Sequence, residues 1–73
     1  MAAAYRHRRV LAEAIREYRK AANLTQEKLA ELADLNPKYL GEVERAEKNI
    51  SVDALVRVAD ALGVRLRDLV TDV

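Results

Sequence analysis

Cysteine is absent from the 73 residues, which removes disulfides, thiolate nucleophiles and every Cys-containing zinc site at once. Phenylalanine and tryptophan are missing as well; Tyr5, Tyr18 and Tyr39 are the only aromatics, proline occurs once and glycine twice. The 51 % of hydrophobic residues are therefore mostly Ala, Leu and Val, a composition that favours helix over strand. No apolar run approaches the roughly 18 residues of a membrane span, and the opening Met-Ala-Ala-Ala-Tyr-Arg has no signal-peptide apolar stretch, so a cytoplasmic location is expected. Charge of one sign is also in short supply. Thirteen basic residues against 12 acidic ones leave +1, so any attraction for a charged partner has to be local. The length is half that of a typical domain of about 150 residues, so a single domain over 1–73 is expected. A chain of this size buries only about 60 % of its unfolded surface, and dimerisation would add to that.

Catalytic groups are equally scarce. His7 and Ser51 are the only histidine and serine, and no hydrolytic triad can be assembled from them. Paired carboxylates for acid/base work would need a pocket, which a small helical domain rarely encloses. His7 stands among Arg6, Arg8 and Arg9 without the Cys, His or spaced carboxylates of a metal site. No enzyme, metal, cofactor or small-molecule ligand is expected.

Helical spacing organises what remains. From about Ala4 to Ala22 no breaker occurs, and Leu11, Ile15, Tyr18 and Ala22 fall on one face of a first helix. Asn23 ends it. Thr25 offers a hydroxyl to the free amides of a second helix, roughly Gln26 to Ala33, whose apolar positions are Leu29, Ala30, Leu32 and Ala33. Asp34-Leu35-Asn36 is a tight turn, and Asn36 before Pro37 is a start signal: an N-cap acceptor, then proline at the first helical position. The third helix is expected from Pro37 to about Arg45, burying Leu40 and Val43 with Tyr39 partly inside. Ala46 to Asn49 forms a polar surface loop. Ser51 caps a fourth helix with Asp53 in its first turn, Leu55, Val58, Ala59 and Leu62 on its face and Gly63 as its stop. Leu66, Leu69 and Val70 belong to a short last helix that Val73 could extend. The expected fold is all-α, a compact five-helix domain with no room for a sheet.

Two short helices, 26–33 and 37–45, joined by a tight turn can hold the second against a DNA major groove. The run Leu24-Thr25-Gln26-Glu27-Lys28-Leu29-Ala30 carries the pattern further, as do Pro37-Lys38-Tyr39-Leu40, Val43-Glu44-Arg45, Asn49-Ile50-Ser51 and Ala59-Asp60-Ala61-Leu62-Gly63-Val64. In that order these blocks resemble the phage-repressor-type (Cro and XRE) helix-turn-helix family over about Val10 to Leu69. The resemblance implies a five-helix domain, repressor-like in fold, that binds double-stranded operator DNA, usually as a twofold dimer on palindromic half-sites.

The residues agree with that implication. At Thr25-Gln26 the free amides and positive end of the second helix would face a phosphate, and Gln26 is the first-choice backbone contact, its alternative being an exposed polar residue at a helix start. On the third helix Pro37, Lys38, Gly41 and Glu42 face outward. Pro37 departs from the donors frequent in the family and can only fill space or touch a thymine methyl. Lys38 would reach guanine acceptors or a phosphate and Glu42 a cytosine amino group, unless Glu42 is a surface charge that DNA repels. Gly41 costs about 1 kcal/mol relative to Ala inside a helix; close approach to the sugar-phosphate backbone or tight packing against the second helix would justify it. Lys48 and Asn49, and with them Arg45, occupy positions where the family touches phosphate. Arg19 and Glu44 resemble a buried ion pair of the family and are expected to orient the third helix rather than to contact DNA. Asp34 and Ala46 replace glycines frequent in the family; a positive φ at Ala46 would strain it by roughly 1–2 kcal/mol, and a slightly longer third helix would avoid it.

Charge is uneven along the chain. Residues 1–20 hold six basic and two acidic groups, whereas 21–50 and 51–73 are each net acidic. Arg6, Arg8 and Arg9 could therefore approach flanking phosphates or a minor groove, or simply be solvated. Val56, Leu66, Val70 and Val73 are candidates for a homodimer surface, with Leu69 turned inward. Without a ligand-binding domain, regulation would follow concentration and dimerisation, as in small autoregulatory repressors and restriction-modification controllers. The rival class is a protein-interaction or antitoxin-type module using the same scaffold, which the near-neutral charge and Glu42 keep open.

Overall fold

The computed structural model describes residues 5–73 and contains five helices among them: α1 (Arg6–Ala21), α2 (Gln26–Ala33), α3 (Pro37–Glu44), α4 (Val52–Leu62) and α5 (Leu66–Val70). The start expected near Ala4 lies outside the described residues. The starts of α2, α3, α4 and α5 are made by their sequences, whereas α1 begins without a side-chain cap. The Thr25 hydroxyl accepts from the Lys28 amide at 3.0 Å, the Asn36 side chain from the Lys38 amide at 2.8 Å, and the Ser51 hydroxyl from the Ala54 amide at 3.1 Å. Pro37 takes the first position of α3, where its missing N–H costs nothing. At the start of α5 the Asp68 carboxylate reaches back to accept from the Arg65 amide at 2.9 Å.

The ends of α2, α3 and α4 share one device. Asp34, Ala46 and Gly63 have φ of 55°, 62° and 72°, and the amide following each reverses onto a carbonyl five residues back: Leu35 onto Ala30, Glu47 onto Glu42, Val64 onto Ala59. Gly63 does this without strain. Asp34 tolerates it through its short polar side chain, whereas Ala46 carries the cost of roughly 1–2 kcal/mol. The longer α3 that would spare Ala46 is not adopted. Closure instead satisfies the carbonyls of Glu42 and Val43, at 2.8 and 3.0 Å, and turns the chain sharply back toward α4.

Ile15 of α1, Leu29, Ala30 and Ala33 of α2, Leu40 and Val43 of α3, Leu55, Val58 and Ala59 of α4 and Leu69 of α5 form one buried cluster. α2 packs chiefly on α4, while α1 lies across α3 and α5. Leu32, expected on the apolar face of α2, is 51 % exposed. The helical step explains it: Leu32 lies about 105° round the helix from the centre of the trio Leu29, Ala30 and Ala33. Ala22 likewise falls past the end of α1 and is exposed. Among the described residues no helix is long and apolar enough to cross a membrane.

Candidate nucleic-acid interface

Helices α2 and α3 meet through the turn Asp34-Leu35-Asn36. One side of α3 is sunk into the protein, with Leu40, Gly41, Val43 and Glu44 buried; the other leaves Pro37 and Lys38 in solvent and Glu42 half-buried. A shallow depression on this outer side is lined by Asn36, Lys38, Tyr39, Glu42 and Lys48. Lys48 reaches it because the loop after α3 is tied down: the Tyr39 hydroxyl donates to the Asn49 carbonyl at 3.1 Å and accepts from the Ser51 amide at 3.3 Å.

The buried side of α3 is held by charge as well as by apolar contact. Glu44 is 1 % exposed, and its carboxylate accepts from Arg19 Nε at 2.9 Å, Arg19 Nη2 at 3.1 Å and Gln26 Nε2 at 2.9 Å. Arg19 also donates through Nη1 to the Leu24 carbonyl at 2.9 Å, and Arg16 donates to the Glu44 carbonyl. No buried side-chain nitrogen or oxygen among the described residues lacks a partner, as a buried ion pair requires if it is not to destabilise. The network joins α1, α2 and α3 at one carboxylate and so fixes the direction in which α3 points.

Other sequence-nominated residues have acquired partners too. Gln26, at the first position of α2, is half-buried and turned toward Glu44. Thr25 spends its hydroxyl as an acceptor on its own helix. Gly41 lies beneath both neighbours: a Cβ there would stand 3.2 Å from Arg45 Nη1 and 3.6 Å from Gln26 Oε1, so close packing against α2 is a reason for glycine already present in the free protein. Arg45 is exposed and forms a two-pronged pair with Glu47, at 3.0 and 3.2 Å. The hydrogen-bonded Glu47 carboxylate raises the Arg45 guanidinium above its ordinary range, and Arg45 holds Glu47 below the usual carboxylate range.

Asn49 faces the start of α1, where its Oδ1 accepts from Arg8 Nε at 2.8 Å and lies 3.2 Å from His7 Nε2. The Arg8 guanidinium also sits 4.6 Å from the Tyr5 ring centroid. The basic beginning of α1 is thereby brought against the loop after α3. These contacts, the Arg16 bond and the Gln26 link were absent from the sequence reading. Apart from the Arg8–Tyr5 contact, they join residues 18 to 42 apart, and no local spacing announces those.

Of the apolar dimer candidates, Val56, Leu66 and Val73 are 39 %, 36 % and 54 % exposed, and Val70 is half-buried. Leu69 is buried. Val52, one turn before Val56 on α4, is 69 % exposed and enlarges the apolar surface beyond the residues the sequence suggested.

A short helix capped by Thr25, a tight turn, and a second short helix anchored on one side and open on the other, within five helices, define a helix-turn-helix protein. The helix-turn-helix family HTH_3 matches residues 15–69, and the chain belongs to that family, whose members are non-catalytic, sequence-specific DNA-binding regulators of transcription. Control protein C.SmaI of Serratia marcescens is 44 % identical over 62 residues, covering 85 % of this chain and 74 % of that protein. Control protein C.BamHI of Bacillus amyloliquefaciens is 42 % identical over 48 residues, covering 66 % of this chain and 59 % of its own length. Among solved structures, the restriction-modification controller protein C.AhdI from Aeromonas hydrophila superposes with a TM-score of 0.83 at 37 % identity, over 85 % of this chain and 94 % of that one.

Proposed function

We propose that this chain regulates transcription as a homodimer on a palindromic operator, with α3 of each subunit in the major groove. In this reading Lys38 and Glu42 address base edges and Pro37 fills space beside them. Thr25, Gln26, Arg45, Lys48 and Asn49 lie along the sugar-phosphate backbone, and Gly41, buried beneath Arg45 and Gln26, leaves that set. The observation that carries it is the two-sidedness of α3: Leu40, Val43 and Glu44 anchor it while Pro37 and Lys38 remain in solvent beside Lys48. Val56, Leu66 and Val73, with half-buried Val70 and the added exposed Val52, are the apolar residues assigned to the pairing of two copies. Likeness to two control proteins and a restriction-modification controller supports a narrower role, autoregulated control of restriction-modification genes.

Selection from random duplexes, followed by titration of the selected site at several salt concentrations, tests this directly. The expected product is an inverted repeat with half-site centres about one helical turn apart. Its affinity should fall with salt at a log-log slope near −0.9 per neutralised phosphate. The double variant Lys38→Ala/Gln26→Ala should bind it more weakly. A protein-interaction module would select no site and show no such slope. Undiminished affinity in the double variant would remove α3 and the start of α2 from the interface.

A further inference from the structure

An open cleft separates the N-terminal half of α1 from the C-terminal end of α3, lined by Arg9, Ala12, Glu13, Arg16, Arg45 and Ala46. Three of these six residues are arginines in a chain whose net charge is +1. Arg9 and Arg16 lie two turns apart on one side of α1, with buried Ala12 between them. Arg9 is exposed and has no ion-pair partner among the described residues. Arg16 is half-buried, and its bond to the Glu44 carbonyl holds the side chain against the end of α3. Arg45 approaches from the other wall, its guanidinium gripped by the Glu47 carboxylate.

The lining carries three arginines, and Glu13 and Glu47 offset their like charge only in part. Their planar forks match the oxygens of a phosphate, which a compact ammonium does not do as well. Glu47 already illustrates the match, since an internal carboxylate occupies the Arg45 fork with two hydrogen bonds. That pair is exposed on both sides, 57 % and 54 % for the two side chains, and exposed pairs are held weakly enough to exchange for a stronger anion.

We infer that this cleft is a phosphate-binding site, with Arg9, Arg16 and Arg45 as its donors and Glu47 as the internal anion that phosphate displaces. A phosphodiester of a bound duplex and inorganic phosphate offer the same oxygens, and the two are separated by experiment. The inorganic-phosphate limb stands independently of the DNA reading.

Thermal unfolding of the full chain is followed in increasing sodium phosphate and in sodium chloride of matched ionic strength. The expected result is a saturable, phosphate-specific rise in midpoint of roughly 6–11 °C at ten times the dissociation constant. Arg9→Gln and Arg45→Gln should each abolish the saturable part, and Glu47→Gln should half-saturate at lower phosphate. Arg16→Gln also removes a bond to α3, so Arg9→Gln carries the test. The same Arg9→Gln variant is titrated with duplex DNA across salt. A slope shallower by about 1 identifies a DNA phosphodiester as the occupant, and an unchanged slope beside a phosphate-specific rise identifies free phosphate. A chain that takes phosphate but no duplex would remove the DNA reading and leave the cleft standing. Absence of both effects, or a rise that survives Arg9→Gln and Arg45→Gln alike, overturns the assignment.

Discussion

Removing the Glu44 carboxylate should be among the most damaging single changes available to this protein. In Glu44→Ala the Arg19 guanidinium loses both of its bonds to Glu44, at 2.9 and 3.1 Å, and keeps the one to the Leu24 carbonyl. Gln26 loses its acceptor as well. The Arg19 side chain is 13 % exposed and cannot turn fully to water, so an uncompensated charge stays in a poorly solvated place. Breaking a buried pair in this way typically costs about 3–5 kcal/mol, and the partial exposure of Arg19 places the expectation near the lower end. A domain of this length has a total stability of roughly 4–11 kcal/mol. The midpoint of thermal unfolding should therefore drop by about 12–24 °C.

The double variant Arg19→Met/Glu44→Leu separates charge from packing. Replacing both partners by apolar groups removes the uncompensated charge, so the double variant should be more stable than Glu44→Ala alone. Circular dichroism melting and urea unfolding of the wild type, Glu44→Ala and the double variant read the result. A midpoint within about 2 °C of the wild type for Glu44→Ala, where a loss of a few kcal/mol demands far more, would refute the reasoning. So would a double variant less stable than Glu44→Ala.

Three further changes follow from the backbone and the exposed charges. Gly41→Ala should stabilise by about 0.5–1 kcal/mol through helix propensity, because the nearest obstacle, Arg45 Nη1 at 3.2 Å, is the far end of a flexible side chain; a lowered melting midpoint would show instead that the packing does not yield. Ala46→Gly should raise the midpoint modestly, relieving a residue held at φ 62° by about 0.5–1 kcal/mol net of the entropy glycine adds to the unfolded chain, and a decrease would mean that the turn is not strained. Glu47 should titrate below the ordinary carboxylate range by NMR because Arg45 donates to it, and Arg45→Gln should return it there. Its contribution is present above the unfolded carboxylate pKa and fades as pH falls through the depressed folded value; a Glu47 titration indifferent to Arg45→Gln would exclude the pair in solution.

The helices were legible because each carries local signals: Thr25, Asn36-Pro37 and Ser51 at starts, Gly63 at a stop, and apolar residues at helical spacing between them. Errors fell where a local pattern was ambiguous. Leu32 looks apolar and core-facing by type, yet it lies off the axis of burial that Leu29, Ala30 and Ala33 define. Ala46 looks too costly for a left-handed turn, yet closing the end of α3 requires one. Pro37 and Lys38 could be read as outward-facing from helical phase, but Gly41, expected beside them, is buried under Arg45 and Gln26, and the partners of the surface residues could not be read at all. Asn49 bonds to Arg8 across 41 intervening steps of sequence and Gln26 to Glu44 across 18; only the packed helices decide that these side chains meet.

This division between local and long-range information bears on how the outer face of α3 is aimed. Apolar burial is nondirectional, and close packing alone leaves α3 whatever small roll its neighbours can accommodate. The carboxylate of Glu44 permits no such freedom. It is gripped from α1 by Arg19 through two parallel bonds and from α2 by Gln26, while Arg16 holds the carbonyl of the same residue. A rotation of α3 about its axis would lengthen several charge-assisted bonds together, and these are stronger and more directional than neutral ones. The helix that presents Lys38 and Glu42 is thus locked in phase by polar bonds and in depth by Leu40 and Val43. On the proposed function, Arg19 and Glu44 orient the face that carries Lys38 and Glu42 without contacting DNA themselves, and Gln26 links that lock to the first turn of α2.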